Sequence, residues 1–329
     1  MRREDAMAIT RRRMAQAIAL GSGLAALPVR AAGFPERPIR MLLPFSPGGG
    51  TDESSRAYAD ELQKLLGVPV VAENKPGASG LVAINTLLAA PPDGYTMLVA
   101  TNSLAAVNPV MRKDLPYDAF KDLLPIHGLL NSAPVISAPL TSGNTPLKQM
   151  LLRAKKEGRA LSIGNYSEGY QLLAAWIGTL EQVPVVHVPY KGPSPMLVDL
   201  VGGRLDFAIS DPTSAMELVR TGKLRGVATG GAERERQMPD MPTMIELGYP
   251  EFETYVWSSL FVRAGTPPDI AKKLADAVGT ALVAPAIQAR NANRPGTPMM
   301  MALGALGDFQ RREYERFRKV ADAAGMAPR

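Results

Sequence analysis

Nine short apolar runs, spaced by stretches of helical periodicity, constrain this 329-residue chain more than any other feature. Strands are expected at 39–45, 68–72, 96–100, 134–138, 161–163, 185–188, 207–210, 224–228 and 256–262. Helices are expected between them at 52–66, 81–90, 147–157, 170–180, 196–201, 213–221 and 269–283. Strands regularly separated by helices read as parallel βαβ units, and hence as doubly wound α/β layers. A last stretch, 306–324, carries Phe309, Tyr314, Phe317 and Val320 near helical spacing among many charges and reads as an exposed packing helix. At roughly 150 residues per domain, the length suggests about two domains. No fixed-period repeat or low-complexity linker divides them, so two α/β lobes joined by crossing strands near 131–134 and 253–257 are expected. That division makes 32–133 with 255–329 one lobe and 134–254 the other, with a ligand cleft between them that hinge closure would desolvate.

The first 31 residues read as an export signal. Arg2, Arg3 and the run Thr10-Arg11-Arg12-Arg13-Met14 form a basic start, 15–27 is a mild apolar run, and Val29-x-Ala31 offers an exit site. Consecutive arginines after a threonine suggest the twin-arginine variant. The apolar run is shorter than the ~20 residues of a spanning helix, and no cysteine is present to carry a lipid. Six arginines against Glu4 and Asp5 give this segment a net +4, so its removal takes the chain from +6 to +2. The remaining charges are interspersed, which removes the main support for nucleic-acid binding. The mature chain is expected to be an exported, extracytoplasmic protein.

Absent chemistry narrows the field further. With no cysteine and only His127 and His187, disulfides, thiolate catalysis and multi-histidine metal sites have no raw material. Both histidines sit among apolar residues and read first as packed core groups. No G-x-G-x-x-G or G-x-x-x-x-G-K-[ST] loop occurs, and Gly77-Ala78-Ser79-Gly80 has the wrong spacing for a nucleophile elbow. Neither a cofactor nor a metal is expected. Met299-Met300-Met301 and Trp176 read as packing, and Trp257, on a crossing strand, leaves a cleft contact open.

The most informative stretch is Phe45-Ser46-Pro47-Gly48-Gly49-Gly50-Thr51-Asp52, between a strand and a well-marked helix. Glycines let backbone approach a ligand, and the helix behind them offers unpaired N–H groups and a positive dipole end to an anion. Thr51 is placed to cap that helix, although Asp52 and Glu53 compete with an anion for the same end. The plain alternative is a tight strand-to-helix turn. Further strand ends carry short polar residues: Thr101-Asn102-Ser103, Asn165-Tyr166-Ser167-Glu168-Gly169-Tyr170, and Asp211. Ligands of open α/β sheets bind outside such ends, and helix capping is the competing explanation.

Several ordered motifs carry a family likeness: Phe34-Pro35-Glu36-Arg37-Pro38-Ile39, Pro44-Phe45-Ser46-Pro47-Gly48-Gly49, Glu73-Asn74-Lys75-Pro76-Gly77-Ala78, Pro92-Asp93-Gly94-Tyr95-Thr96, Leu115-Pro116-Tyr117-Asp118, His187-Val188-Pro189-Tyr190-Lys191-Gly192 and Ala264-Gly265-Thr266-Pro267. The chain resembles the Bug family of extracytoplasmic solute receptors, the binding components of tripartite tricarboxylate transporters, along essentially its whole mature length. The resemblance implies a type II periplasmic binding protein, two doubly wound α/β lobes closing over one small organic carboxylate without catalysis. It implies delivery of that solute to membrane permease subunits, and a monomer is expected. Backbone of the loop 46–52 would hold a ligand carboxylate, with 101–103, 165–170, Tyr190 and Asp211 completing the site. Relatives commonly carry a small serine-rich loop where this chain has Asn165 to Tyr170, so Glu168 is expected to repel a second ligand carboxylate if it points inward. A sensor receptor using the same closure, and an exported enzyme acting on a carboxylate, are the rival readings.

Overall fold

A computed structural model describes residues 33–326, so the export-signal reading falls outside the described residues. The compact unit beginning at Arg37 contains two mixed sheets. In chain order its elements are β1 (Ile39–Leu43), α1 (Gly50–Leu66), β2 (Val70–Asn74), α2 (Leu81–Leu88), β3 (Thr96–Thr101), a π-helical turn (Ser103–Val107) running into α3 (Asn108–Met111), β4 (Leu123–Ser132) and β5 (Val135–Pro139). There follow α4 (Leu147–Lys156), β6 (Leu161–Asn165), α5 (Glu168–Leu180), β7 (Val185–Pro189), α6 (Pro193–Val201), β8 (Phe207–Ser210), α7 (Pro212–Arg220) and β9 (Leu224–Thr229). The chain ends with β10 (Val256–Arg263), α8 (Pro268–Leu282), α9 (Pro285–Ala292), β11 (Thr297–Pro298) and α10 (Leu303–Ala323).

The first sheet is ordered β11-β4-β10-β3-β1-β2 and the second β7-β6-β8-β5-β9. β1 runs parallel to β2 and β3, and β6 runs parallel to β7 and β8, as the βαβ alternation predicts. Helices pack against β1, which is why it is apolar apart from Arg40, with Ile39, Met41, Leu42 and Leu43 all buried. β10 and β5 depart from the all-parallel expectation: β10 is antiparallel to β3 and β4, and β5 to β8 and β9. Each enters its sheet from the other sheet, so no helical crossover on the same sheet obliges it to run parallel.

β4 is not among the expected strands, and its sequence carries Pro125 and Gly128. The strand absorbs them with two register shifts against β10, which leave Leu129 and Ile126 unpaired there. Bulges of this kind let a strand carry proline and glycine. Gly128 is also where Met299 crosses, and a Cβ there would stand 2.7 Å from the Met299 carbonyl oxygen. His127 next to it is buried, with Nδ1 2.6 Å from the Gly128 carbonyl oxygen, the packed role expected of it. His187 lies half-buried on the edge strand β7.

The helix expected at 306–324 is α10, and it is less exposed than its charges suggest: Leu306, Gln310, Phe317, Val320 and Ala321 are buried. Gln310 is 2 % exposed, and its Nε2 donates to the carbonyls of Ala105 (2.9 Å) and Ala119 (3.0 Å). Those carbonyls lie beyond β3 and before β4, so one amide clamps the C-terminal helix to both connections. Leaving two buried acceptors unpaired is costly, so Gln310→Met is expected to lower the unfolding free energy by about 2 kcal/mol in urea denaturation.

Candidate functional site

A cavity of about 40 Å³ lies where the ends of β3, β6, β8 and β10 and the start of α1 converge. Phe45, Thr51, Thr101, Asn102, Ser103, Tyr166, Ser167, Tyr170 and Asp211 line it, all among the residues singled out from the sequence. Such a volume admits a few waters, so a solute of several heavy atoms enters only as the walls separate.

The Gly-rich loop forms the first wall. α1 begins at Gly50 with Gly49 as N-cap, and no side chain caps it, so Thr51 stands inside the first turn and not at the cap. Three of the loop's N–H groups are already engaged. Ser46 N–H donates to Lys191 O (3.2 Å), Gly48 N–H to Asp52 Oδ2 (3.1 Å) and Gly50 N–H to Ser214 Oγ (3.2 Å). Thr51 lines the cavity, and its amide, in the first turn of α1, has no acceptor available inside its own helix. Asp52 is turned back into the protein: Arg56, Asn74 and Gly48 donate to its oxygens. Burial pushes the Asp52 carboxyl up, and those hydrogen bonds more than offset it, so it titrates below the ordinary carboxylate range. The competition between Asp52 and a bound anion is thereby relieved.

This wall meets the second sheet at glycine. A Cβ on Gly49 would fall 2.7 Å from Pro193 Cγ, and one on Gly50 would overlap Asp211 Oδ1 and stand 3.0 Å from Thr213 Cβ. Ser46 Oγ donates to Lys191 O, and Ser194 Oγ donates to Pro47 O. Ser46, Pro47, Gly48 and Gly49 therefore contact the opposite sheet's loops without lining the cavity.

The second wall is built from the 165–170 loop. Ser167 caps α5 by accepting from Tyr170 N–H, and Ser103 Oγ donates to Ser167 Oγ (2.9 Å) while accepting from Gly169 N–H (3.1 Å). A hydroxyl pair thus bridges β3's end and α5's start. Phe45 meets Tyr166 edge-on with ring centroids 5.0 Å apart, and Tyr166 lies 4.7 Å from Tyr170. Burial raises both phenols well above their usual range, so they stay neutral hydrogen-bonding groups. Asn165 is buried with Nδ2 3.5 Å from Ile163 O, behind the lining. Glu168 turns away from the cavity, its Oε1 accepting from Arg112 Nη1 at 3.3 Å, so the sequence argument for repulsion by Glu168 loses its geometry. Tyr190 also stands outside: its hydroxyl donates to Asp199 (2.7 Å), and burial together with that carboxylate pushes it up to about 12.

Asp211 caps α7 and accepts from Ser214 N–H (3.0 Å), Ser214 Oγ (2.6 Å) and the Tyr166 hydroxyl (3.0 Å). Burial pushes its carboxyl above the ordinary range, and the three donors oppose that only in part. The cavity also takes Gly50, part of the loop expected to hold a ligand, and Ser54, Leu130, Ser132, Thr213 and Val256, which the sequence reading did not place in the site, together with Ser258 and Trp257. Thr213 stands two residues past a strand end already suspected, and Ser132 closes β4, which is not among the expected strands. Thr101 Oγ1 is buried without a hydrogen-bond partner among the described residues. An orphaned hydroxyl in a cavity wall marks where a guest acceptor or water belongs.

Two sheets, each flanked by helices and converging on one small polar cavity, define a solute-binding protein. The sequence from 55 to 326 matches the family model described as "tripartite tricarboxylate transporter family receptor". Protein BugT of Bordetella pertussis is 32 % identical over 311 residues, covering 92 % of this chain and 94 % of that one. Among solved structures, the periplasmic binding protein BugD superposes with a TM-score of 0.85 at 27 % identity, covering 90 % of this chain and all of that one. R. palustris Rpa4515, solved with adipate, superposes with a TM-score of 0.85 at 28 % identity over 90 % of this chain and all of the other. The chain belongs to the tripartite tricarboxylate transporter receptor family, the Bug receptors, as its motifs suggest, and it has their type II periplasmic binding protein fold.

Gly50→Ala is expected to hold the cavity open and raise the radius of gyration in solution X-ray scattering, whereas an unchanged radius means that Asp211 and Thr213 give way. Because folding raises the Asp211 carboxyl's proton affinity, its contribution grows less favourable as pH rises above 3.8. The melting temperature of Asp211→Asn relative to wild type is therefore expected to rise between about pH 4 and about pH 7.

Proposed function

We propose that this chain is a periplasmic receptor that captures one small organic carboxylate by hinge closure, performs no chemistry on it, and delivers it as a monomer to the permease subunits of a tripartite tricarboxylate-type transporter. The two closing bodies would be 32–133 with 255–329, and 134–254. The observation that carries the reading is the cavity itself: hydroxyl and amide donors from both sheets converge on it, including the orphaned Thr101 Oγ1. Family membership supports the carboxylate, since Rpa4515 is solved with adipate. The basic, apolar and small-residue sequence of 1–31 supports export.

In this reading the Thr51 amide and Thr101 hydroxyl would take one carboxylate at the positive end of α1, with Ser103 and Ser167 supporting it. Ser46, Gly48 and Gly49 would serve through the contacts that close the cleft. Neutral donors suit a receptor, because they replace the solute's water shell without the deep trap of a buried ion pair. Opening would break the Ser46–Lys191, Pro47–Ser194 and Ser103–Ser167 bonds, and solute in the cleft would shift the population towards closure.

The test is thermal denaturation of protein unfolded and refolded to remove bound solute, with a panel of mono-, di- and tricarboxylates. A ligand present at 100 times its dissociation constant is expected to add ~2.7 kcal/mol, visible as a selectively raised midpoint. Folded, ligand-free protein indifferent to every acid would overturn the reading.

A further inference from the structure

The cavity brings its own carboxylate. Asp211 is the one charged side chain among the lining residues, which are otherwise aromatic, aliphatic, hydroxyl or amide. Its partners are neutral: the Ser214 amide and hydroxyl and the Tyr166 hydroxyl. The charge that bears on it is also acidic: Glu53, in the first turn of α1, raises its proton affinity further.

Position makes this matter. A Cβ on Gly50 would overlap Asp211 Oδ1, so the carboxylate lies against the first turn of α1. An acid seated at that helix end therefore puts its own carboxylate next to Asp211. Two like charges at such range in an enclosed site repel strongly, and a second free carboxylate elsewhere on the solute adds to the imbalance. A donor on the solute, placed close to its carboxylate, removes the conflict. A cationic donor also supplies the counter-charge that Asp211 lacks.

We propose that Asp211 selects an acid bearing an ammonium group near its carboxylate, an amino acid in preference to a dicarboxylate, with the aromatic wall of Phe45, Tyr166 and Tyr170 accepting an uncharged remainder. This rests on the receptor reading above and narrows its solute class. Site chemistry of this sort discriminates sharply, because a competitor lacking the donor leaves the buried carboxylate uncompensated.

Isothermal titration of refolded, solute-free protein at about pH 7.5 tests it with matched series on one carbon skeleton: the 2-amino acid, the 2-hydroxy acid, the unsubstituted acid and the dicarboxylate. One series uses a short aliphatic chain and one a benzyl group. In the series that binds, the amino acid is expected to bind at least about tenfold more tightly than the unsubstituted acid and the dicarboxylate. Asp211→Asn is expected to abolish that ranking by weakening the amino acid and strengthening the dicarboxylate. Should the variant fail to fold, the wild-type ranking alone decides. A dicarboxylate that outranks the amino acid overturns this inference and leaves the receptor reading standing. Absence of binding by every acid in both series overturns this inference, and the wider panel of the thermal experiment then decides the receptor reading separately.

Discussion

Close approach of two backbones at Gly49 and Gly50 is the constraint on which the rest of the site depends. The start of α1 comes so near Pro193, Asp211 and Thr213 that no Cβ fits at either position. A larger residue at either position must part the walls or displace the side chains it meets. Glycine here serves steric fit across a cleft. Only Gly48 in this trio needs the left-handed backbone, with φ of 87°.

The electrostatics follow from that contact. Opposed backbones leave room for small neutral donors and for one acid, and the acids that approach most closely are handled in opposite ways. Asp52 is drawn out of the cleft by Arg56 and Asn74, whereas Asp211 is held in the wall by neutral donors, two hydroxyls and the Ser214 amide. The first arrangement frees the helix end for a guest; the second sets a condition on what the guest must carry.

Much of this was legible in the sequence because it rests on local signals. Periodicity marks β1, β3, β6 and β8, whose apolar runs pack against helices, and the glycine cluster marks the loop that must come close to something. What local signals miss is long-range pairing. β4 was hidden because Pro125 and Gly128 are tolerated through register shifts that only β10 makes possible. Glu168 and Tyr190 sit in motif positions that suggest the site, yet each is claimed by a partner far off in sequence or in an adjacent helix, Arg112 and Asp199. Thr51 looks like a cap because a hydroxyl precedes a helical pattern, but the N-cap is Gly49, two residues earlier, and the Gly50 amide donates to Ser214 on α7.

The chain has two tryptophans, and they occupy very different surroundings. Trp176 is stacked on Phe252 with centroids 4.3 Å apart, away from the cavity, while Trp257 lines it and donates through Nε1 to Glu313 at 3.0 Å. An indole that lines the cavity and whose polar edge is fixed on α10 is a built-in optical probe. Its emission colour tracks whether water or solute fills the cleft, against the steady background of a partner that the exchange does not reach.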